Sequence, residues 1–259
     1  MFPLSTTVAV RFPPFATWAL IALNVLAYLW ESSHAIGGEA ALRAFLSEWG
    51  LVPARYFVPG WGPAHGLDPS DWWPFLTNTF LHGGLLHLVF NMWTLYIFGP
   101  AVEDRMGSLS YVLFYLACGI GASFAHAWMN PTSTLPAIGA SGAIAGIVGA
   151  YMRLFPHSRV VVLVPVFFYP FFFEVYAFFF AGFWFLTQLM QGMASLSRPA
   201  AATGGVAWWA HVGGFVLGWL IAGAWGEEGR RHRPLQPDEG AFGCCPDGRR
   251  NIPGPPRGA

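Results

Sequence analysis

The sequence predicts an all-α membrane protein built from six membrane-spanning helices. Composition is the first reason. Of 259 residues, 55% are hydrophobic and only 10% charged, and the mean hydropathy is +0.47. A soluble domain usually carries about a quarter charged residues. The second reason is that the apolar residues gather into six runs, roughly 15–30, 83–100, 109–128, 141–154, 169–190 and 207–225. The implied partner is the lipid bilayer. Net charge is zero, so nothing suggests nucleic acid.

The first run, FATWALIALNVLAYLW, follows a single arginine and lacks a small-x-small cleavage site, so it reads as a retained span rather than a signal peptide. Arginine placement gives the orientation. With the N-terminus inside, the inner segments hold Arg11, Arg105, Arg153, Arg159, Arg230, Arg231 and Arg233, with Arg249, Arg250 and Arg257 farther along the tail. The outer segments hold Arg43, Arg55 and Arg198. Both termini are therefore expected on the cytoplasmic side of the cell membrane. Between Ser32 and Thr79, GGEAALRAFLSEWGL suggests a short amphipathic helix, and Trp49, Trp61, Trp72 and Trp73 suit a membrane interface. Residues 1–14 form a cytoplasmic segment, 15–226 the membrane domain, and 227–259 a disordered cytoplasmic tail rich in Pro, Gly and Arg. Cys118 reads as packing, and adjacent Cys244 and Cys245 without a second pair make no zinc site. No cofactor or metal is expected; His82, His87 and His211 have workable spacing but no acidic partner.

Polar side chains in the bilayer centre cost on the order of 3 kcal/mol each. Here they cluster in the second, fourth and sixth runs: His82, His87 and Asn91; Ser141; and His211. In the six-span topology these three helices all run from outside to inside, and each polar residue lies near its helix start. All therefore fall in the outer half of the membrane. The run from Ser141 to Leu154 has fourteen residues. At 1.5 Å each it spans roughly 21 Å of a hydrocarbon core about 30 Å thick. Ser141 should thus begin its helix below the outer surface, and NPTSTLPAIGA must descend to it as irregular backbone. Such backbone survives in a membrane when it lines a wet cavity or is buried in protein. A helix N-terminus there offers free N–H groups, as an oxyanion site requires.

His87 and Asn91 are four apart and share a helix face. Gly214 and Gly218 lie below His211, and Ala145 and Gly149 below Ser141, so these two helices can approach closely. A histidine brought to a serine can act as its general base. Each residue has a simpler reading. Taken alone, Ser141 is more often a packing serine; His87 with Asn91 can be an interhelical hydrogen-bonding pair; His211 can be a satisfied core histidine; and His82 is structural. Ala143 breaks the esterase G-x-S-x-G pattern. His126 reads as interfacial, His34, His65, His157 and His232 as loop or tail residues, and Glu174 as solvated near the inner interface. No carboxylate occupies the outer halves of the three helices, so no third triad member is visible. The joint occurrence at matching depths favours a nucleophile. A proton-coupled transporter is disfavoured because no inverted repeat is visible.

Four motifs, in order, resemble the rhomboid family of intramembrane serine proteases over about residues 15–226. HGGLLHLVFNMW is similar to the second-helix pattern, with His82 upstream of His87 and Asn91. AVEDRMGS resembles the turn that follows, through Glu103, Arg105, Gly107 and Ser108. GASG resembles the nucleophile motif at Gly139, Ser141 and Gly142, and AHVGGFVLG the last motif at Ala210, His211, Gly214 and Gly218. The resemblance implies a six-helix bundle, a Ser141–His211 dyad without an acid, and an oxyanion site from the Ser141 backbone, His87 and Asn91. It implies membrane-anchored substrates, cut in or near the outer end of a span that unwinds easily, with small residues at the cut. It makes the fifth helix a candidate for lateral entry and the bulky 171–185 stretch its gate. The Glu103–Arg105 turn would be structural, as an ion pair. The chain departs from the family at Ala145, where many relatives place an aromatic ring against the catalytic histidine. The alternative from the same resemblance is a non-proteolytic relative that binds transmembrane clients; such relatives typically lose the serine or histidine, and this chain keeps both.

Overall fold

The computed structural model describes residues 2–166, 168–196 and 207–225. The expected tail, Arg198, Cys244, Cys245 and His232 lie outside the described residues. The chain opens with a strand, β1 (Phe2–Thr6), and helix α1 (Phe15–Ala35). The amphipathic α2 (Glu39–Trp49) follows as expected, then three single turns, α3 (Ala54–Phe57), α4 (Trp61–Ala64) and α5 (Pro74–Thr77). The long helices α6 (Leu85–Met106) and α7 (Ser108–Met129) precede the fourteen-residue α8 (Ser141–Leu154). Strands β2 (Arg159–Val166) and β3 (Tyr169–Tyr176) lead into α9 (Ala177–Ser195), and α10 (Trp208–Ala222) is the last α-helix among the described residues. Among the described residues, α1, α6 and α7 are long and apolar enough to cross a membrane.

The fold is mostly helical, but the expectation of an all-α protein fails at one place. β1, β2 and β3 form an antiparallel three-stranded sheet, with Thr6 opposite Val160 and Val160 opposite Val175. The apolar run read as a helix from residue 169 is therefore strand to Tyr176, and its helix starts at Ala177. The physical reason lies in RVVVLVPV and YPFFFEVY. Both are rich in β-branched or aromatic residues, and Pro165 and Pro170 interrupt any helical ladder. A short apolar run does not separate strand from helix by periodicity alone. Glu174 sits in β3, where its carboxylate accepts from Arg159 Nη1 at 2.7 Å.

Glu103, near the end of α6, is buried and organises the start of α1. Its carboxylate accepts from the backbone N–H groups of Ala16 (2.9 Å) and Thr17 (2.7 Å), from Thr17 Oγ1 (2.8 Å) and from Ser108 Oγ (2.6 Å). A carboxylate at a helix N-terminus satisfies orphan donors and meets the positive dipole end. The expected ion pair with Arg105 does not form; the Arg105 guanidinium lies over the Phe155 ring, 5.5 Å from its centroid. Gly107 links α6 to α7 at φ 82°, in the left-handed region that favours glycine. His34, expected in a loop, sits in the last turn of α1 with its ring stacked on Phe45.

The segment between α2 and α6 folds around Arg55, which is 2% exposed. Its guanidinium pairs with Asp71 at 2.9 Å and donates through Nε to the Asp68 carbonyl at 2.8 Å. Tyr56 donates to the Asp71 carbonyl at 2.9 Å, and burial pushes its phenol up to about 12. Ser70 donates to the Asp68 carboxyl from its backbone N–H and its hydroxyl, holding it below the usual carboxylate range. This segment supports the irregular stretch from Asn130 to Ala140. Leu51 and Ala137 exchange backbone hydrogen bonds at 3.0 and 2.8 Å, Ala54 N donates to Ser133 O at 2.9 Å, and Gly139 N donates to Asn78 O at 2.9 Å. Non-helical backbone thus reaches Ser141 with partners supplied by protein, as buried polar groups require.

α8 sits at the centre. Its residues from Gly142 to Tyr151 are all buried, against α6, α7, α9 and α10. The closest neighbour is α10, as the small residues predict. The register differs by one position at the middle contact: Gly146, not Ala145, meets Gly218, while Gly142 meets Gly214 and Gly149 meets the Phe215 backbone. Ala145 instead faces the cavity described next.

Candidate active site

α8 begins at Ser141 because Gly139 and Ala140 turn the irregular chain into it. Gly139 has φ 135°, and a Cβ there would lie 2.9 Å from His87 Cε1. Only glycine lets the chain pass this close to the histidine ring. The first helical turn closes with Ile144 N donating to Ala140 O at 2.9 Å. The N–H groups of Ser141, Gly142 and Ala143 precede that bond, as at any helix start.

Close packing of α10 on α8 delivers His211. Its Nε2 stands 2.7 Å from Ser141 Oγ, the separation of a strong O–H···N hydrogen bond. The other ring nitrogen, Nδ1, lies 2.7 Å from Gln188 Oε1 on α9. The Trp184 ring, one turn earlier on α9, lies 5.9 Å from the His211 ring at 35°, and Trp208 meets it edge-on at 6.1 Å. The aromatic support missing at Ala145 thus comes from α9.

His87 and Asn91 project from one face of α6 and line, with Ser141 and His211, a cavity of about 640 Å³. Asn91 is buried, and its Nδ2 has no partner among the described protein groups. His87 Nδ1 accepts from Gly83 N at 3.4 Å. His82 is fully buried, and its ring meets the His87 ring edge-on at 5.2 Å. Its backbone N–H donates to the buried Glu31 carboxylate at 2.8 Å, tying the turn before α6 to α1. Phe2 and Pro3 of β1 reach the same cavity; Pro3 O accepts from Trp93 Nε1 at 2.8 Å, and Phe2 stacks on Phe90.

The structure therefore brings Ser141, His211, His87 and Asn91 to one cavity, with His82 behind His87 and Gly139, Gly142, Gly214 and Gly218 at the close approaches. Sequence reasoning missed four contributors. Gln188 and Trp184 lie in the fifth apolar run, where a lone amide among apolar residues was a usable signal. Glu31 follows directly on the first. His126, read as interfacial, lines a small pocket behind Ser141 with Asn78 and Ser123.

Chemically, a serine hydroxyl hydrogen-bonded to an imidazole, beside free helix N–H groups and an unpaired amide donor, can support acyl transfer. The fold and site together describe a helical membrane protein with a serine–histidine pair in a cavity among its helices. The chain belongs to the rhomboid family: the family model described as Rhomboid domain matches residues 69–227, more than half of the chain. Rhomboid protease GluP of Bacillus subtilis is 34% identical over 147 residues, which are 56% of this chain and 26% of that protein. Rhomboid protein 1, mitochondrial, of Saccharomyces cerevisiae is 30% identical over 170 residues, 61% of this chain and 44% of that protein. RHOMBOID-like protein 6, mitochondrial, of Arabidopsis thaliana is 39% identical over 86 residues, 33% of this chain and 27% of that protein. The chain spans less than half the length of these curated relatives.

Proposed function

We propose that the protein is an intramembrane serine endopeptidase that cleaves the transmembrane segments of membrane-anchored proteins. The observation that carries this reading is the 2.7 Å contact between Ser141 Oγ and His211 Nε2 inside the cavity shared with His87 and Asn91. His211 Nε2 takes the Ser141 proton as Oγ attacks the scissile carbonyl. The carbonyl oxygen becomes an oxyanion held by the Ser141 N–H, Asn91 Nδ2 and His87. The imidazolium then gives its proton to the leaving amine as the peptide bond breaks. Water, deprotonated by the same histidine, releases the acyl group and restores the serine. Loss of one oxyanion donor costs about 10²–10³ in kcat in soluble relatives of this chemistry.

In this reading the membrane domain covers residues 15–226 and crosses the membrane six times. Both termini lie on the cytoplasmic side of the cell membrane, and 227–259 form a disordered tail. The arginine balance supports that orientation. The 14-residue length of α8 supports a helix that starts within the bilayer. The cavity is lined on one side by α6 and on the other by Phe180, Trp184 and Gln188 of α9, which supports entry of a substrate span between those helices.

The test is cleavage of a membrane-anchored reporter by purified protein in detergent and in liposomes. Ser141→Ala and His211→Ala should each abolish cleavage while retaining the wild-type melting profile. Undiminished cleavage by either variant refutes the dyad. A folded wild type that cleaves no reporter and takes no fluorophosphonate label supports a client-binding, non-proteolytic role instead.

A further inference from the structure

α9 places two polar side chains in succession, Thr187 and Gln188, after ten residues without a polar side chain. Gln188 is 7% exposed. Burying an amide costs free energy unless its donor and acceptor are both engaged, and here both are. The Thr187 hydroxyl donates to the Trp184 carbonyl at 2.6 Å. Gln188 Nε2 donates to Thr187 Oγ1 at 3.1 Å. Gln188 Oε1 is 2.7 Å from His211 Nδ1, and His211 Nε2 is 2.7 Å from Ser141 Oγ.

The direction of this chain follows from what each group can give or take. The proton on Thr187 Oγ1 is committed to a carbonyl, so that oxygen can only accept from Gln188. The Gln188 nitrogen therefore faces Thr187, and its oxygen faces His211. A flipped amide would set two acceptors together at Thr187. An amide oxygen only accepts, so His211 Nδ1 must carry the proton. The neutral imidazole is then left with a free lone pair on Nε2, aimed at the serine hydroxyl. We infer that Gln188, oriented by Thr187, is a positioning residue that sets the tautomer and ring direction of His211; the inference rests on the dyad reading above. Gln188 takes the place on Nδ1 that an acid fills in a Ser-His-Asp triad, without the cost of a buried carboxylate in a membrane. It orients the ring but adds no charge to stabilise the imidazolium. The titratable groups acting on His211 from packed neighbours are His87 on α6 and His126 on α7.

The experiment compares full-length wild type, Gln188→Leu, Gln188→Glu and Thr187→Val, purified in detergent and checked by thermal unfolding. Fluorophosphonate labelling of Ser141 and cleavage of a membrane-anchored reporter are followed across pH. Gln188→Leu keeps the bulk and removes the acceptor. It should slow labelling and kcat by about tenfold or more, the worth of one aligned hydrogen bond, with KM within about twofold of wild type. Gln188→Glu keeps an acceptor and should remain within about threefold of wild type, with the acid limb of its pH–rate profile moved to higher pH by the added negative charge. Gln188→Leu labelling at the wild-type rate overturns the inference, as does equal impairment of the two folded Gln188 variants. Should Gln188→Leu not fold, Thr187→Val decides: a fall of about threefold in kcat supports the inference, and an unchanged kcat and pH profile overturns it. A folded wild type that neither labels nor cleaves overturns the dyad reading itself, which the variant comparison leaves distinguishable.

Discussion

Gly142 on α8 and Gly214 on α10 meet main chain to main chain, so that a Cβ on Gly214 would overlap the Gly142 carbonyl oxygen. One turn deeper, Gly218 stands in the same relation to Gly146. These contacts set the distance between the helices that carry Ser141 and His211. Gly214→Ala and Gly218→Ala should each destabilise the protein by about 2–3 kcal/mol, as overpacking a tight interface does. Each should also lower cleavage by more than about tenfold, since a misplacement of about 1 Å can cost a hundredfold. Gly182→Ala is the control. Beyond its own helix backbone and chain neighbours, no atom lies within 4 Å of the Cβ it would add, and alanine favours a helix interior over glycine by about 1 kcal/mol. Thermal unfolding in detergent and reporter cleavage check all three.

Trp184 should prove necessary to hold the His211 ring. Trp184→Ala removes the ring 5.9 Å away and should reduce kcat by about fivefold, on the scale of an aromatic contact of about 1 kcal/mol. Placing an aromatic at residue 145 should restore part of the loss, because Ala145 faces the same cavity. Steady-state kinetics of Trp184→Ala and of Trp184→Ala combined with Ala145→Tyr make the comparison.

Glu103→Ala strips the acceptor from four donors at the α1 start and the α6–α7 turn. Hydrogen bonds to a charged group are worth about 1.5–3 kcal/mol each and do not add fully. The expected loss is about 3 kcal/mol, visible as a lowered Tm. Glu103→Gln, with only one oxygen, should recover part of it.

Arg55→Ala should destabilise by about 3 kcal/mol, since it leaves Asp71 unpaired and opens a cavity. The predicted sequel is disorder in the 130–140 stretch, which leans on residues 51–54. Protease nicking of that stretch in the folded variant measures it.

How far the sequence speaks can be judged from particular residues. The meeting of the candidate site residues at one cavity was legible because they violate the chemistry of their surroundings. His87, Asn91, Ser141 and His211 are polar where lipid or tight packing is expected, and their spacing along helices placed them at one depth. The length of α8 was equally legible, since Pro156 and Arg159 follow closely on its last residue, Leu154. The sheet was not, because RVVVLVPV and YPFFFEVY are apolar apart from Arg159 and Glu174 and carry no two-residue alternation that separates strand from helix. Pro165 and Pro170 were the available hints. Gln188 was passed over for a different reason: its partner lies 23 positions away, and only packing brings an amide in one helix to an imidazole in another. The Glu103–Arg105 ion pair was implied by the resemblance of the turn motif, whereas the carboxylate takes backbone donors from α1, far away along the chain.

The small sheet also constrains the order of events in folding. Thr7 N donates to Arg159 O, and Phe2 sits opposite Leu163. β1 precedes α1, α6, α7 and α8 in the chain, whereas its partner strand follows them. Contacts so remote in sequence are closed late, after the loop entropy between them has been reduced by intervening structure. β1 thus stays unpaired until its partner strand has been made. It fastens only once β2 is available, so that pairing of β1 marks a chain in which α1, α6, α7 and α8 have all been made.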